Sequence, residues 1–203
     1  AVDTGEVHGL AYLLVADDEE IQRNYFGYRS AENELPITED TIYRVYSMTK
    51  PITGIAMMML WEEGKWKLDD PITKYIPELS DLKVLDGVNE DGTPRLVDME
   101  RPPTMRELMS HTAGFAYGLG GTDPANQAFR DEQVLRSPDF DTLIDRVSGI
   151  PLLFQPGEDW FYSVSVDLQG YIVEKLSGQK FGEFLDERIF TPLDMDDAAF
   201  YVS

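Results

Sequence analysis

The chain has 203 residues, 42% of them hydrophobic, and carries 17 Lys and Arg against 38 Asp and Glu for a formal charge of −21. Its Phe, Tyr and Trp content is enough to build a core, which argues against disorder. The acid excess argues against a phosphate-backbone binder, which needs clustered cations, and against anionic membrane surfaces. Cysteine is absent, which removes disulfides, thiolate nucleophiles and most structural zinc sites. The longest apolar stretch, 55–61, is far too short to span a bilayer. Ala1 to Glu6 has no basic and then apolar leader, so any targeting segment is expected to have been removed or never included. Compartment stays open, with the cytoplasm favoured.

In chain order, His8 to Ala16 is an apolar run closed by the acidic turn Asp17 to Glu20, and Ile21 to Tyr28 follows. The pair reads as an antiparallel hairpin. Thr41 to Tyr46 is β-branched and aromatic and reads as an extended approach to the next element. After Pro51, apolar residues at Ile52, Ile55, Ala56, Met59 and Leu60 have helical spacing. Pro51 is tolerated in a first turn, and Gly64 is placed to end the helix. Met57, Met58 and Met59 read as adaptable core filler. From Leu79 to Pro103 the chain is polar and broken by glycine and proline, which predicts a loop excursion. Short helices are expected over Thr104 to Met109, capped by Thr104, and over Asp141 to Val147, capped by Asp141. Leu168, Ile172, Val173 and Leu176 form a third helical stripe. Phe181, Phe184, Leu185 and Ile189 form a fourth, closed by Pro192, and Ala198 to Val202 looks like a strand. The pattern suggests a mixed α/β fold with a helical insertion.

The sharpest chemical feature is Ser47-Met48-Thr49-Lys50. Residues three apart share a helix face, so the Ser47 hydroxyl and the Lys50 ammonium meet. At a helix start the unpaired N–H groups favour negative charge, and an oxyanion beside Ser47 would meet its own N–H. A desolvated lysine there can lose its proton, or can hold a neighbouring phenol ionised. The spacing alone selects nothing, because it recurs at Ser80…Lys83 and Ser177…Lys180. Only Ser47 stands between an extended run and an amphipathic helix, and its bland alternative is an N-cap serine. Tyr162 follows the turn Gln155-Pro156-Gly157 and precedes a helix; beside a cation it can act as a general base. Its alternative is a core aromatic. His111, in Ser110-His111-Thr112-Ala113-Gly114, lacks an evident carboxylate or nucleophile partner and reads as structural. Gly118 to Gly121 lacks a following lysine and reads as a loop, not a phosphate cradle. Glu62-Glu63 and Asp69-Asp70 read as solvated surface, not a glycosidase pair.

Five stretches occur together and in order: Tyr43 to Pro51, Gly64 to Pro71, Leu108 to Phe115, Gln155 to Gly157, and Phe190 to Met195. On these the chain resembles the serine β-lactamase and penicillin-recognising superfamily, in its class C-like branch, and most nearly the family VIII carboxylesterases. The resemblance implies an antiparallel sheet flanked by helices with a helical lobe, an α/β (α+β) fold. Residues 1–78 and 168–203 would belong to the sheet domain and 79–167 to the lobe. It also implies Ser47 as the acylated nucleophile, Lys50 as its activating partner, and Tyr162 as the base that protonates the leaving group. No metal or organic cofactor is implied, and His111 falls to a structural loop.

The chain departs from that pattern in two places. Lactamases and peptidases of the branch usually carry Tyr-x-Asn, but here the motif is Tyr162-Ser163-Val164, as in the esterases. That favours small short-chain esters over lactams or peptides. Nothing after Tyr162 matches the family's late Lys-Thr-Gly or Trp-Gly-Gly motif, and the usual N-terminal helix is also missing. The chain is therefore expected to be a piece of a longer enzyme whose remaining part completes the sheet and the site. The expected function is a serine hydrolase working through an acyl-enzyme on a small ester or amide. A β-lactamase, a D-Ala-D-Ala-type peptidase and a non-catalytic scaffold are its rivals.

Overall fold

Two acidic residues make the turn of the first hairpin. Asp17 and Asp18 both have positive φ, 51° and 62°, the backbone that a two-residue hairpin loop requires. They join β1 (Gly9–Ala16) to β2 (Glu19–Ser30), paired antiparallel from Ala16 opposite Glu19 to Gly9 opposite Gly27. The short β3 (Leu35–Pro36) extends this sheet in the order β1-β2-β3. Tyr12 and Phe26 stack across the hairpin with centroids 6.3 Å apart. This computed structural model describes residues 1–201, and the chain divides into two units, 1–46 and 47–203. The hairpin of the sequence reading is present. The Thr41–Val45 segment is irregular, without a strand partner, and enters a 3-10 turn at Tyr46–Met48.

The second unit is built on two helices. α1 (Thr49–Glu62) has Pro51 in its first turn and ends just before Gly64, whose φ is +73°. Its buried face is Thr53, Ala56, Met57 and Leu60; Ile55, expected inside, is 49% exposed. The helix is apolar nearly all round, so periodicity could not pick the face. Trp66 locks the helix end to the core by donating its indole N–H to the Met57 carbonyl at 2.8 Å.

The Leu79–Pro103 excursion is not a loop throughout. It holds a hairpin of β4 (Lys83–Val88) and β5 (Pro94–Asp98), turned at Asn89–Thr93 with Gly92 at φ +84°. Val84 is buried there, and Leu85 and Lys83 bond the backbone of Leu152. Asp91-Gly92 was the available signal, obscured by charged residues around a short strand.

α2 (Met105–Met109) starts from Thr104 in a full capping box: the Thr104 hydroxyl accepts from Glu107 N–H, and the Glu107 carboxylate accepts from Thr104 N–H. The unforeseen α3 (Pro124–Asp131) is capped by Asp123 with Pro124 in its first turn. α4 (Phe140–Ser148) is capped by Asp139, two residues before the expected Asp141. Asp139 has the extended backbone a cap needs and accepts from Thr142 N–H at 2.8 Å, whereas Asp141 lies inside the first turn.

α5 (Ser165–Ser177) buries an unbroken run from Leu168 to Val173, each large side chain contributing about 1.5–3 kcal/mol by leaving water. It packs on α1 and α2. α6 (Phe181–Leu185) continues into a π-helical turn over Asp186–Phe190 and a 3-10 turn over Thr191–Leu193. Ala198–Tyr201 form no strand: Ala198 N–H closes a turn on Met195 O, and Phe200 packs on Phe181 at 5.4 Å. Val202 lies outside the described residues. No helix among the described residues is long and apolar enough to cross a membrane.

Candidate active site

Ser47 is exposed in the 3-10 turn ahead of α1, and Lys50 is the second residue of that helix. With three residues per turn, side chains at i and i+3 eclipse. Lys50 Nζ accordingly donates to Ser47 Oγ at 3.4 Å. The other two serines of the same spacing are occupied elsewhere: Ser80 donates to Pro77 O and Ser177 to Val173 O, each at 2.7 Å.

Tyr162 reaches Ser47 from the segment just before α5, and its hydroxyl donates to Ser47 Oγ at 2.7 Å. The turn that aims it is anchored on the capping box. Arg101 pairs with the Glu107 carboxylate at 2.5 Å and donates to Pro156 O at 2.8 Å. Gly157 has φ +91°, and a Cβ there would lie 2.7 Å from Glu107 Oε1. The turn can approach this closely only because it carries no side chain.

His111 holds the other side. Its backbone has φ +60°, its carbonyl accepts from Phe161 N–H at 3.0 Å, and its Nδ1 accepts from Ser163 N–H at 3.1 Å. The ring stacks on Tyr162 with centroids 5.0 Å apart. A histidine expected to be structural thus clamps both residues flanking Tyr162. Burial, and then the Lys50 charge, push its pKa below the ordinary value, which keeps Nδ1 available as an acceptor.

Charge separates the roles of the nearby groups. Burial works against the Lys50 cation, but Tyr162 and then Tyr117 outweigh it and raise its pKa. Burial likewise opposes a Tyr162 phenolate, yet Lys50 and the Ser47 hydroxyl prevail and lower it. Lys50 Nζ stands 4.6 Å from the Tyr162 ring centroid. Both shifts favour the ammonium form of Lys50 and ease the loss of the Tyr162 proton.

Tyr117 and Asp167 were not picked out by sequence reasoning. Lys50 Nζ donates to Tyr117 OH at 3.4 Å, and the Tyr117 ring meets Tyr162 edge-on at 5.5 Å. Asp167, in the first turn of α5, is held above the usual carboxylate range by burial, against the pull of Lys50. No sequence pattern marks a tyrosine in a loop; α5 did at least announce an acidic residue at its start.

The third position of the tyrosine motif, Val164, is fully buried, and its N–H bonds Ala116 O at 3.2 Å. It offers no polar group to a substrate. Three of the paired carboxylates have partners within the scaffold. Asp70 accepts from Tyr75 OH, Lys74 Nζ and Lys67 N–H, which together hold its pKa down at about 2, while Asp69 and Glu63 pair with Arg106 and Arg188. Among the described residues, no group of His, Asp or Glu is gathered to hold a metal.

The family model described as Beta-lactamase matches residues 1–203. The chain belongs to the β-lactamase family. It is 32% identical over 196 residues to esterase EstB of Burkholderia gladioli, covering 95% of this chain and 47% of the relative. It is 31% identical over 209 residues to lovastatin esterase of Penicillium rubens, covering 99% and 51%. Among solved structures, EstCE1, described as a hydrolase with promiscuous acyltransferase activity, superposes with a TM-score of 0.79 at 26% identity, covering 95% of this chain and 48% of that one. The fold is β-lactamase-like, with helices and small antiparallel sheets. The chain spans about half the length of the curated relatives it matches.

Proposed function

We propose that this chain carries the catalytic residues of a serine hydrolase acting on small esters through an acyl-enzyme. The observation that carries the reading is the Ser47 Oγ to Tyr162 OH contact at 2.7 Å, with Lys50 Nζ against both partners. The phenolate form of Tyr162, which the Lys50 charge favours, takes the Ser47 proton as Oγ attacks the ester carbonyl carbon. The oxyanion develops beside the Ser47 N–H at the start of α1, where the helix favours negative charge. As the intermediate collapses, the bond to the alcohol oxygen breaks and Tyr162 returns the proton to that oxygen. Water then attacks the acyl group on Ser47, with Tyr162 again accepting a proton, which it gives back to Ser47 Oγ as the acid leaves. The proton transfers run through the side chains of Ser47 and Tyr162, and the remaining part of the enzyme completes the substrate site.

The relatives named as esterases support an ester over an amide substrate, and so does the buried apolar Val164 where lactam-active members usually have asparagine. In the intact enzyme, Ser47→Ala should abolish hydrolysis of p-nitrophenyl butyrate and labelling by a fluorophosphonate probe. Undiminished turnover would sink the assignment, and absence of labelling in the wild type would favour a non-catalytic scaffold. Faster turnover of a chromogenic cephalosporin than of the ester would favour the lactamase reading.

A further inference from the structure

Lys50 touches more than the nucleophile and the base. Its ammonium donates to two hydroxyls, Ser47 Oγ and Tyr117 OH, at 3.4 Å each, and lies over both tyrosine rings, 4.6 Å from the Tyr162 centroid and 5.3 Å from that of Tyr117. Only one of these hydroxyls survives the reaction unchanged. Once Ser47 Oγ is esterified it becomes a poor acceptor, and Tyr162 OH moves a proton in every step. Tyr117 OH takes no part in the proposed proton transfers, so it can hold Lys50 in the same place throughout.

Tyr117 is itself fixed from behind. The buried Asn126 of α3 accepts from Tyr117 N–H at 3.1 Å and from Gly118 N–H at 2.9 Å through the same Oδ1. Asp123 holds Asn126 in turn, accepting from its N–H at 2.9 Å and its side-chain amide at 2.8 Å. A surface loop therefore carries a backbone anchored on a helix cap, directly beside the candidate site. The cap of α3 is structural by type, yet its second task is to register one phenol.

We propose that Tyr117 is a positioning residue, whose hydroxyl, registered by Asn126 and Asp123, fixes the Lys50 ammonium against Tyr162 through both halves of the acyl-enzyme cycle. The inference rests on the acyl-enzyme reading above. The two phenols are pushed in opposite directions. Burial, with Asp167 adding to it, raises the Tyr117 pKa despite Lys50, so it stays a neutral acceptor, while the Tyr162 pKa is lowered. The groups facing this pair are Lys50 from α1, Asp167 from α5, His111 after α2 and the Ser47 hydroxyl. Releasing Lys50 from Tyr117 leaves the Tyr162 phenolate less stabilised, and its ionisation moves to higher pH.

The test is Tyr117→Phe in the intact enzyme, which keeps the ring and removes only the hydroxyl. With p-nitrophenyl butyrate, the acid limb of kcat/KM should move up by roughly half to one pH unit, with a drop of about three- to tenfold on that limb. Deacylation, read as the steady rate after a burst, should fall alongside. A role confined to packing would lower thermal stability and leave the limb in place. An unmoved limb with wild-type burst and steady rates overturns the proposal even where Ser47→Ala is inactive; a fully active Ser47→Ala enzyme instead overturns the reading on which it rests.

Discussion

Removing one oxygen from Tyr162 separates chemistry from folding. In Tyr162→Phe the ring keeps its stack on His111 at 5.0 Å, its edge contact with Tyr117 at 5.5 Å and its approach to Trp160 at 6.5 Å. What disappears is a hydroxyl bonded at 2.7 Å to an exposed serine. Such a solvent-reachable hydrogen bond contributes at most about 1 kcal/mol to stability, a change of no more than about 2–4 °C in Tm, and less in a longer chain. General acid–base catalysis by a positioned group is worth roughly 10²- to 10⁴-fold. At about 1.36 kcal/mol per decade, the barrier should rise by roughly 2.7 to 5.4 kcal/mol. The assay pairs initial rates on p-nitrophenyl butyrate in the intact enzyme with thermal unfolding of the same preparation. A loss of less than about threefold in kcat/KM would refute Tyr162 as the proton carrier. A large loss accompanied by a collapse in Tm would refute the claim that the hydroxyl is separable from the scaffold.

The remaining predictions concern what holds that tyrosine. His111→Ala strands the Ser163 N–H, which should cost about 1–3 kcal/mol in urea unfolding and lower kcat, because Ser163 is buried. The His111 pKa is depressed on folding, so the unfolded chain binds the proton more readily and the stabilisation is fully present above about pH 6.5. It is lost as pH falls below that value through the folded pKa; a wild-type minus His111→Ala difference that stays flat from pH 7.5 to 5 would show that Nδ1 is not a neutral acceptor. Gly157→Ala forces a Cβ to within 2.7 Å of Glu107 Oε1 at φ +91°. It should destabilise by roughly 1–3 kcal/mol in the same assay, and a change under about 0.5 kcal/mol would mean that the turn is not seated on the capping box.

How much was legible depended on how local each signal is. The β1–β2 hairpin announced itself through an acidic turn between apolar runs, and α2 through its Thr104 cap, while the Glu107 that completes the capping box went unread. α3 was overlooked although Asp123-Pro124 has the form of a cap followed by a first-turn proline. The α4 cap was misplaced because two aspartates compete within three residues, and only backbone geometry decides between Asp139 and Asp141. The β4–β5 hairpin was hidden by short strands whose second one is exposed throughout. At the site, Ser47 and Lys50 could be paired by spacing, but two other serines shared it. Tyr162 was a candidate by its place between a Pro-Gly turn and a helix, but only the family resemblance tied it to Ser47, since nothing in residue spacing connects it to α1. Tyr117 had no signal of its own, because a hydroxyl's partner 67 residues away along the chain leaves no periodic trace.

The bond between Tyr162 and Ser47 joins residues 115 positions apart. On the ribosome, at about 5–20 residues per second, that separation is roughly 6 to 23 s of synthesis. Throughout that interval Ser47 has no Tyr162 phenol beside it. On the acyl-enzyme reading proposed above, the nascent chain gains its proton acceptor only once the segment ahead of α5 has been made and docked.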